Sequence, residues 1–199
     1  MEQAFKEIYE KNIWGGGSGS GSNMSNHNKK YINDVQDIIT KYNIKTICDI
    51  GCGDWVFSQY IDFSGCEYVG VDCVESVITD NKRDFEKNNI TFEHHAIGED
   101  YIPEGYDLVL IKDVIQHWTD EDIIKYFGDV LHKNTYVYAT NGYKFMRDPK
   151  KNALTKRDIS NKYRYHPVSI DKYPLSDFKD YCLSTDTYHA KQMNLFRVE

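Results

Sequence analysis

Two short segments carry residues whose types and spacing suit the binding of a nucleoside. In DIGCGD (49–54), Gly51 and Gly53 follow an apolar run, where glycines permit a tight strand-to-helix turn that a ligand can approach closely. The run YVGVD ends on Asp72, about 20 residues beyond the turn, the distance at which an acidic residue accepts hydrogen bonds from both ribose hydroxyls. The pattern is not GxGxxG. It therefore favours a small nucleoside ligand over a dinucleotide.

A candidate base lies in the segment KDVIQHW (112–118). The ordinary pKa of histidine suits proton removal at neutral pH, so His117 is a candidate catalytic base. Asp113 comes four residues earlier, and on a helical turn the two side chains would share one face, where Asp113 could orient the imidazole. Two structural roles stay open: Asp113 as a helix cap, and His117 packed beside Trp118.

Polar residues also end or follow other predicted strands. Asn141 and Tyr143 follow the fifth strand, where they could bind hydroxyl groups of a substrate or turn the chain. His94 and His95 end the third strand, but adjacent strand side chains point to opposite faces, which argues against a shared zinc ion. Two ligands, such as the pair in KDVIQHW, are too few to indicate a metal. We therefore predict no metal site.

The hydrophobic pattern alternates between helical and extended periods. Apolar residues at helical spacing predict helices, and short β-branched runs predict strands buried on both faces. The predicted helices cover 30–42, 54–63, 76–87 and a segment starting at Thr119, and the predicted strands cover 45–51, 68–72, 90–96, 106–112 and 135–141. Two further strand-like runs after residue 177 predict a closing hairpin. The fold class is therefore α/β: a Rossmann-like, doubly wound, mostly parallel seven-stranded sheet with an antiparallel last strand.

Composition limits the function classes. The chain has 199 residues and a net charge of −7, which fits one domain spanning 1–199 and argues against a nucleic-acid partner. No apolar run is long enough to cross a bilayer and the N-terminus lacks a secretory signal, so we expect no membrane partner and a cytoplasmic location. Five cysteines, three of them near predicted strand ends, are interpreted as small buried hydrophobes rather than a disulfide framework.

These motifs together resemble class I S-adenosylmethionine (SAM) dependent methyltransferases, with DIGCGD as motif I, YVGVD as the second-strand motif and YDLVLIKDVIQHW as the fourth-strand segment. The resemblance covers residues 45–141. It implies SAM as cofactor and S-adenosylhomocysteine (SAH) as product. It places Asp72 at the ribose, Cys73 beside the adenine, and His95 where the family usually has an acidic residue for the adenine amino group. The other residues implied on this cofactor surface are Asp49, Gly51, Cys52, Gly53, Ala96 and Lys112.

The Gly/Ser segment, WGGGSGSGS (14–22), follows an amphipathic run, FKEIYEKNIW. The pattern IYxxxxWG with Gly/Ser repeats resembles a subgroup of bacterial and viral methyltransferases in which this segment folds over SAM. By that resemblance residues 1–30 form a lid: Gly15 and Ser22 supply amide and hydroxyl donors, and Tyr9 and Trp14 exclude water and face the sulfonium. The alternative is a flexible linker.

The interval 142–177 is polar and contains three prolines, which predicts an insertion on the acceptor side. Its segment YRYHPVSIDKYP (163–174) resembles a stretch of the same subgroup in which arginine and aromatic residues face the acceptor. Arg164 is thereby predicted to bind a phosphate or carboxylate, with an ordinary surface loop as the alternative.

The function that these features imply is methyl transfer from SAM to a hydroxyl of a small polar acceptor: a sugar, nucleotide-sugar or glycan end. Tyrosine-rich loops beside a candidate base favour hydroxyl acceptors. Two alternatives stay open. One is a noncatalytic SAM-binding module of a larger sugar-modifying protein, and the other is an N-methyltransferase for a small amine or a protein.

Overall fold

The computed structural model describes residues 2–96, 99, 101–144 and 167–198, and it contains a seven-stranded sheet. The strand order is β3-β2-β1-β4-β5-β7-β6. Strands β1 to β5 are parallel to one another, whereas β7 is antiparallel to both β5 and β6. The strands are β1 (Thr46–Ile50), β2 (Glu67–Asp72), β3 (Ile90–His94), β4 (Leu108–Lys112), β5 (Tyr136–Gly142), β6 (Cys182–Tyr188) and β7 (Lys191–Arg197). The predicted fold class is confirmed.

Two helices precede β1, and the others lie between later strands. They are α1 (Glu2–Glu10), α2 (Asn26–Tyr42), α3 (Glu75–Phe85), and α4 (Asp120–Asp122), which continues through a π-helical turn (Ile123–Phe127) into α5 (Gly128–Lys133). The predicted start at Thr119 is confirmed, because its hydroxyl accepts the Asp122 N–H while the Asp122 carboxylate accepts the Thr119 N–H. Such a reciprocal cap satisfies two of the free N–H groups at a helix start.

The central strands β1, β4 and β5 are buried on both faces, as their apolar sequences predict. Successive strand residues point to opposite faces, and two hydrophobic clusters result. Ile47, Leu110 and Tyr138 belong to the cluster that includes Tyr31 and Val35 of α2. The opposite cluster contains Cys48, Ile50, Val109, Ile111 and Val137 together with the apolar residues that follow β4.

The helix predicted over 54–63 is wrong. The chain forms a 3-10 turn at Ser58–Tyr60, and Trp55 has a φ of +56°. A left-handed residue cannot continue a right-handed helix. The Trp55 side chain is buried, whereas Val56 and Tyr60 are exposed, so the apolar face expected from helical spacing does not exist.

The described end of the predicted insertion packs into the core. Val168, Ile170 and Leu175 are buried in the cluster that contains Val137, and the Val168 N–H donates to Gly142 O at 2.9 Å. The sequence predicted an insertion here because the apolar residues of this segment are separated by polar ones. Residues 167–177 are thus a structural part of the domain.

All five cysteines are free thiols. Cys48 and Cys52 are buried as predicted, but Cys73 is half-buried because it lies just past the end of β2. Among the described helices, none is both long and apolar enough to span a bilayer.

Candidate functional site

The glycine turn lies directly after β1, at the edge of the sheet where the parallel strands end. Gly51 and Gly53 have φ values of +69° and +57°, which glycine adopts without strain. The N–H groups of Gly51 and Cys52 donate to Val71 O at 2.7 and 3.1 Å. A Cβ on Gly51 would clash with the side chain of Val114, so the turn fits closely against the end of β4.

Asp72 ends β2 and faces the same turn. Its carboxylate accepts the Gly53 N–H at 3.1 Å and the Val74 N–H at 3.0 Å. Burial raises the pKa of Asp72 to about 6, and these backbone hydrogen bonds oppose the increase. Asn81 fixes the turn from the other side, since its Nδ2 donates to Gly53 O at 2.7 Å. The Asp72 side chain is therefore held in one orientation beside the turn.

Asp49 is connected to two aromatic side chains that the sequence did not single out. The Tyr68 hydroxyl donates to Asp49 Oδ2 at 2.7 Å, and Trp55 Nε1 donates to the Tyr68 oxygen at 2.8 Å. Burial raises the pKa of Asp49 to about 7, although the Tyr68 hydrogen bond and the Lys112 charge oppose it. The aromatic residue types themselves indicate such contacts, because a buried indole and a buried phenol need hydrogen-bond partners.

The Gly/Ser segment packs against the glycine turn. The Ser18 N–H donates to Asp54 Oδ2 at 2.8 Å, and the Asp54 N–H donates to Ser18 Oγ at 2.9 Å. The Ser22 hydroxyl donates to Asp54 Oδ1, and the Tyr9 hydroxyl lies 2.6 Å from Ser18 Oγ. Gly15, by contrast, is exposed with open space around it. Residues 18–22 are thus part of the folded domain, and Ser18 and Asp54 are contacts that sequence reasoning missed.

Asp113 is held between two lysines. Its Oδ2 accepts Lys112 Nζ at 3.0 Å, and its Oδ1 accepts Lys191 Nζ. Burial alone would raise the pKa of Asp113, but the two ammonium groups hold it well below its ordinary value. Lys112 also donates to Gly21 O at 2.7 Å and lies over the Phe57 ring. Lys112 therefore connects the Gly/Ser segment to the end of β4.

The predicted helical pairing of Asp113 with His117 is wrong. Asp113 has a φ of +62° and lies before the 3-10 turn Ile115–His117, so the two residues do not share a helical face. The His117 ring is 7% exposed and lies among aromatic rings of the N-terminal segment. Its centroid is 5.2 Å from that of Phe5 and 6.3 Å from that of Trp14. Phe5 is another residue that sequence reasoning missed.

His95 and Tyr101 form a stacked pair beyond β3, with ring centroids 4.6 Å apart and planes within 11°. The His95 N–H donates to Asp72 O at 3.1 Å, which places the pair beside the Asp72 backbone. The strand ends at His94, and Ala96 lies just outside it with its carbonyl accepting the Glu99 N–H.

The other predicted residues lie further along the same edge of the sheet. Asn141 is buried near the end of β5, and Tyr143 is half-buried with its N–H donating to Ala190 O at 3.0 Å. Arg164 lies outside the described residues. In the part of the chain that the structure describes, no three His, Cys, Asp or Glu side chains group together in a way that could hold a metal ion.

Comparison with known proteins gives the family. A family model described as a methyltransferase domain matches residues 43–196. The ubiquinone biosynthesis O-methyltransferase of Hydrogenovibrio crunogenus is 26% identical over 108 residues, which is 51% of this chain and 41% of that protein. The chain thus spans less than half the length of this curated relative.

Solved structures share the fold. Magnesium protoporphyrin IX methyltransferase from Synechocystis PCC 6803, crystallised with SAH, superposes with a TM-score of 0.67 at 13% identity over all of both chains. Mitomycin 7-O-methyltransferase gives a TM-score of 0.64 at 12% identity, covering 84% of this chain and 54% of that chain.

The residues at the strand ends have the chemistry that SAM requires. The turn of Gly51 and Gly53 can admit a ligand close to its backbone, and the oriented Asp72 carboxylate can accept hydrogen bonds from a ribose diol. Among the described residues the buried Tyr31 hydroxyl has no hydrogen-bond partner, and burial, with the nearby charges of Asp49 and Asp113, raises its pKa. The chain belongs to the methyltransferase-domain family.

Proposed function

We propose that the enzyme transfers the methyl group of SAM to a hydroxyl oxygen of a small polar acceptor: a sugar, nucleotide-sugar or glycan end. The observation that carries the proposal is the position of His117. Its side chain is buried in the 3-10 turn that follows β4, next to the rings of Phe5 and Trp14. A hydroxyl acceptor needs a base near neutral pH, and histidine is the residue that supplies one most often.

The roles of the residues follow from the chemistry of displacement. SAM supplies an electrophilic methyl group when it is bound. Asp72 and the glycine turn hold the adenosyl part, and His117 removes the proton of the acceptor hydroxyl. Phe5 and Trp14 keep water away from His117 and from the reacting atoms.

Asp113 has a positioning role in this proposal. Because its carboxylate binds Lys112 and Lys191, it joins the end of β4 to the start of β7. Its backbone N–H also donates to Thr140 O at 2.7 Å. The turn that carries His117 therefore follows a residue that is held by two lysine contacts and one backbone hydrogen bond.

The N-terminal segment and the segment 142–177 complete the proposed site. Residues 1–30 cover the cofactor, supported by the hydrogen bonds of Ser18 and Ser22 to Asp54 beside the glycine turn. We assign Tyr143, which follows β5, to the acceptor side. The names of two similar proteins specify O-methylation, which supports oxygen as the atom methylated. The net charge of −7 argues against nucleic acid as the acceptor.

The test is SAH formation with a panel of methyl glycosides and nucleotide-sugars, using His117→Gln. We expect the variant to lose about 10²- to 10⁴-fold in kcat, the range attributed to a general base. Its SAH affinity by calorimetry should match that of the wild type. His132→Gln is the matched control, because that exposed histidine lies in the last turn of α5, next to the start of β5 and away from the edge where the parallel strands end.

Each alternative has its own outcome. SAH binding without turnover on any acceptor would indicate a noncatalytic SAM-binding module. Turnover on amines that His117→Gln leaves unchanged would indicate an N-methyltransferase, since an amine nucleophile can react without a base.

A further inference from the structure

Three uncharged amide side chains lie together at the end of β5. Asn141 and Gln192 face each other in the β5–β7 register, and Gln116 reaches the same place because its Oε1 accepts the Gly142 N–H at 2.9 Å. All three side chains are buried. We call these residues the amide cluster. Gln116 directly precedes His117 on the same 3-10 turn, so the cluster lies beside the proposed base.

Asn141 differs from the two glutamines in its hydrogen bonding. Gln116 and Gln192 use their side-chain oxygens to accept backbone N–H groups, the latter from Ile170 at 2.8 Å. Asn141 is 1% exposed, and within the described part of the chain neither its Oδ1 nor its Nδ2 has a hydrogen-bond partner. Leaving buried polar atoms unpaired costs stability, so a folded protein that does so at a site usually pairs them with a ligand or a water molecule.

We propose that Asn141 is a specificity-determining residue that hydrogen-bonds two adjacent hydroxyl groups of an uncharged sugar ring in the acceptor. This inference rests on the function proposed above. A carboxamide presents one acceptor and two donors side by side. Oδ1 accepts from one hydroxyl, and Nδ2 donates to the oxygen of the next.

The chemistry of the cluster favours a neutral ligand over an anion. A carboxylate or phosphate has no proton for Asn141 Oδ1, and a buried charge beside three amides would lack a counter-charge. The nearest basic residue along β7 is Lys191, but adjacent strand residues point to opposite faces, and its ammonium binds Asp113. The anion expected at Arg164 would therefore belong to another part of the acceptor.

The first experiment reads binding without turnover. The full chain, labelled with ¹⁵N and saturated with SAH, is titrated with methyl α-D-mannopyranoside, methyl α-D-glucopyranoside and sodium sulfate. The Asn141 side-chain NH₂ signals, assigned by their loss in Asn141→Leu, should shift with a glycoside and stay fixed with sulfate. Signals that respond to none of the glycosides, or equally to sulfate, overturn the proposal and point to a bound water as the partner.

The second experiment uses any acceptor that the panel identifies, together with its analogue lacking one hydroxyl of the pair. A site built to bind a hydroxyl discriminates strongly against its loss, so the wild type should penalise the deoxy analogue about 10-fold or more in kcat/KM. Asn141→Leu should raise KM for the full acceptor about 10-fold and discriminate less than about 3-fold. An equal deoxy penalty in both proteins overturns the proposal.

Stability separates this role from a structural one. Since Asn141 has no internal partner, Asn141→Leu should melt within about 2 °C of the wild type or higher. The matched control is Asn134→Leu, because Asn134 is also buried but makes hydrogen bonds to Tyr106, Pro103 and Val130. The control should melt lower and keep the acceptor KM. If Asn141→Leu does not fold, Asn141→Asp keeps the volume and serves in the same kinetic comparison.

The two proposals fail in different ways. If no acceptor is methylated, the proposed function fails, and the NMR titration still decides whether Asn141 binds a sugar. If methylation occurs but Asn141 responds to no glycoside, this inference alone is overturned.

Discussion

Asp49 and Asp72 are buried carboxylates at the ends of neighbouring strands, yet their partners differ. Asp72 accepts backbone N–H groups, whereas Asp49 accepts the Tyr68 hydroxyl and lies within the electrostatic influence of Lys112. Burial raises the pKa of both, to about 6 and about 7 respectively. Each ionised carboxylate therefore costs folding free energy in the absence of cofactor. Such cost at a binding site is expected where side chains are arranged for a ligand rather than for stability.

Asp49→Asn should stabilise the cofactor-free protein in a pH-dependent manner. Because the folded pKa of Asp49 is raised from 3.8 to about 7, the folded state holds its proton more tightly than the unfolded state. The wild type therefore loses stability as pH rises from about 4 to 7, and the full cost is present above pH 7. Asparagine removes this cost and can still accept the Tyr68 hydrogen bond. We expect a gain of about 1 to 4 kcal/mol at pH 8 that vanishes near pH 4.

Thermal melting of Asp49→Asn and the wild type at pH 4.5 and pH 8 measures this difference. Exposed Asp37→Asn is the control, with melting shifts expected below about 1 °C at both pH values. A stabilisation of Asp49→Asn that is the same at both pH values would contradict the assignment of the cost to ionisation.

At the scale of elements, the contact between the Gly/Ser segment and the glycine turn depends on the absence of side chains. A Cβ on Gly17 would clash with the Asp54 carboxylate, and a Cβ on Gly53 would come within 2.5 Å of Ser18 Oγ. Gly15 and Gly17 both have positive φ, but a Cβ on Gly15 would meet nothing within 4 Å. Alanine substitutions at Gly15 and Gly17 therefore separate the effect of backbone strain from the effect of contact with the turn.

Gly17→Ala should detach the segment more than Gly15→Ala does. Both variants pay a similar strain of about 1 kcal/mol for a left-handed alanine, but Gly17→Ala also disrupts the hydrogen bonds of Ser18 and Ser22 to Asp54. Amide hydrogen exchange across residues 15–22 should rise about 10-fold or more in Gly17→Ala relative to Gly15→Ala. Equal exchange in the two variants would show that this contact does not hold the segment.

At the scale of the molecule, the cores and the N-terminal segment are separable. The two large hydrophobic clusters of the sheet draw on residues from Tyr31 onward. The segment before them contributes buried Ile8 and the hydrogen bonds to Asp54. We therefore expect the sheet to fold without the segment, which the proposal above assigns to covering the cofactor.

Deletion of residues 1–24 should leave a cooperative thermal transition but weaken SAH binding about 10-fold or more, because the cover over the site is lost. Calorimetric titration with SAH measures the affinity, and circular dichroism follows the melt. Trp14→Ala in the full chain should give an intermediate loss. Unchanged SAH affinity after deletion would support the linker interpretation of WGGGSGSGS instead.

The strand ends were predictable from sequence because their signals are local. The β-branched runs before Gly51 and Asp72 indicate strands, and glycine at a required positive φ marks the turn between them. The failure over 54–63 is local as well: apolar residues happened to fall at helical spacing, but the left-handed Trp55 turned its indole toward Tyr68 instead. The spacing of apolar residues carries no information about the sign of φ at one residue.

The sequence by itself determined the α/β class, the order of the strands along the chain, and the residues that end them, since each depends on neighbours within a few positions. The tertiary structure alone decided which of these residues meet. Ser18 binds Asp54 across 36 residues, Asp113 binds Lys191 across 78, and Asn141 remains without a partner. Such contacts depend on how the sheet brings distant segments to one edge, and hydrophobic periodicity carries no record of that arrangement.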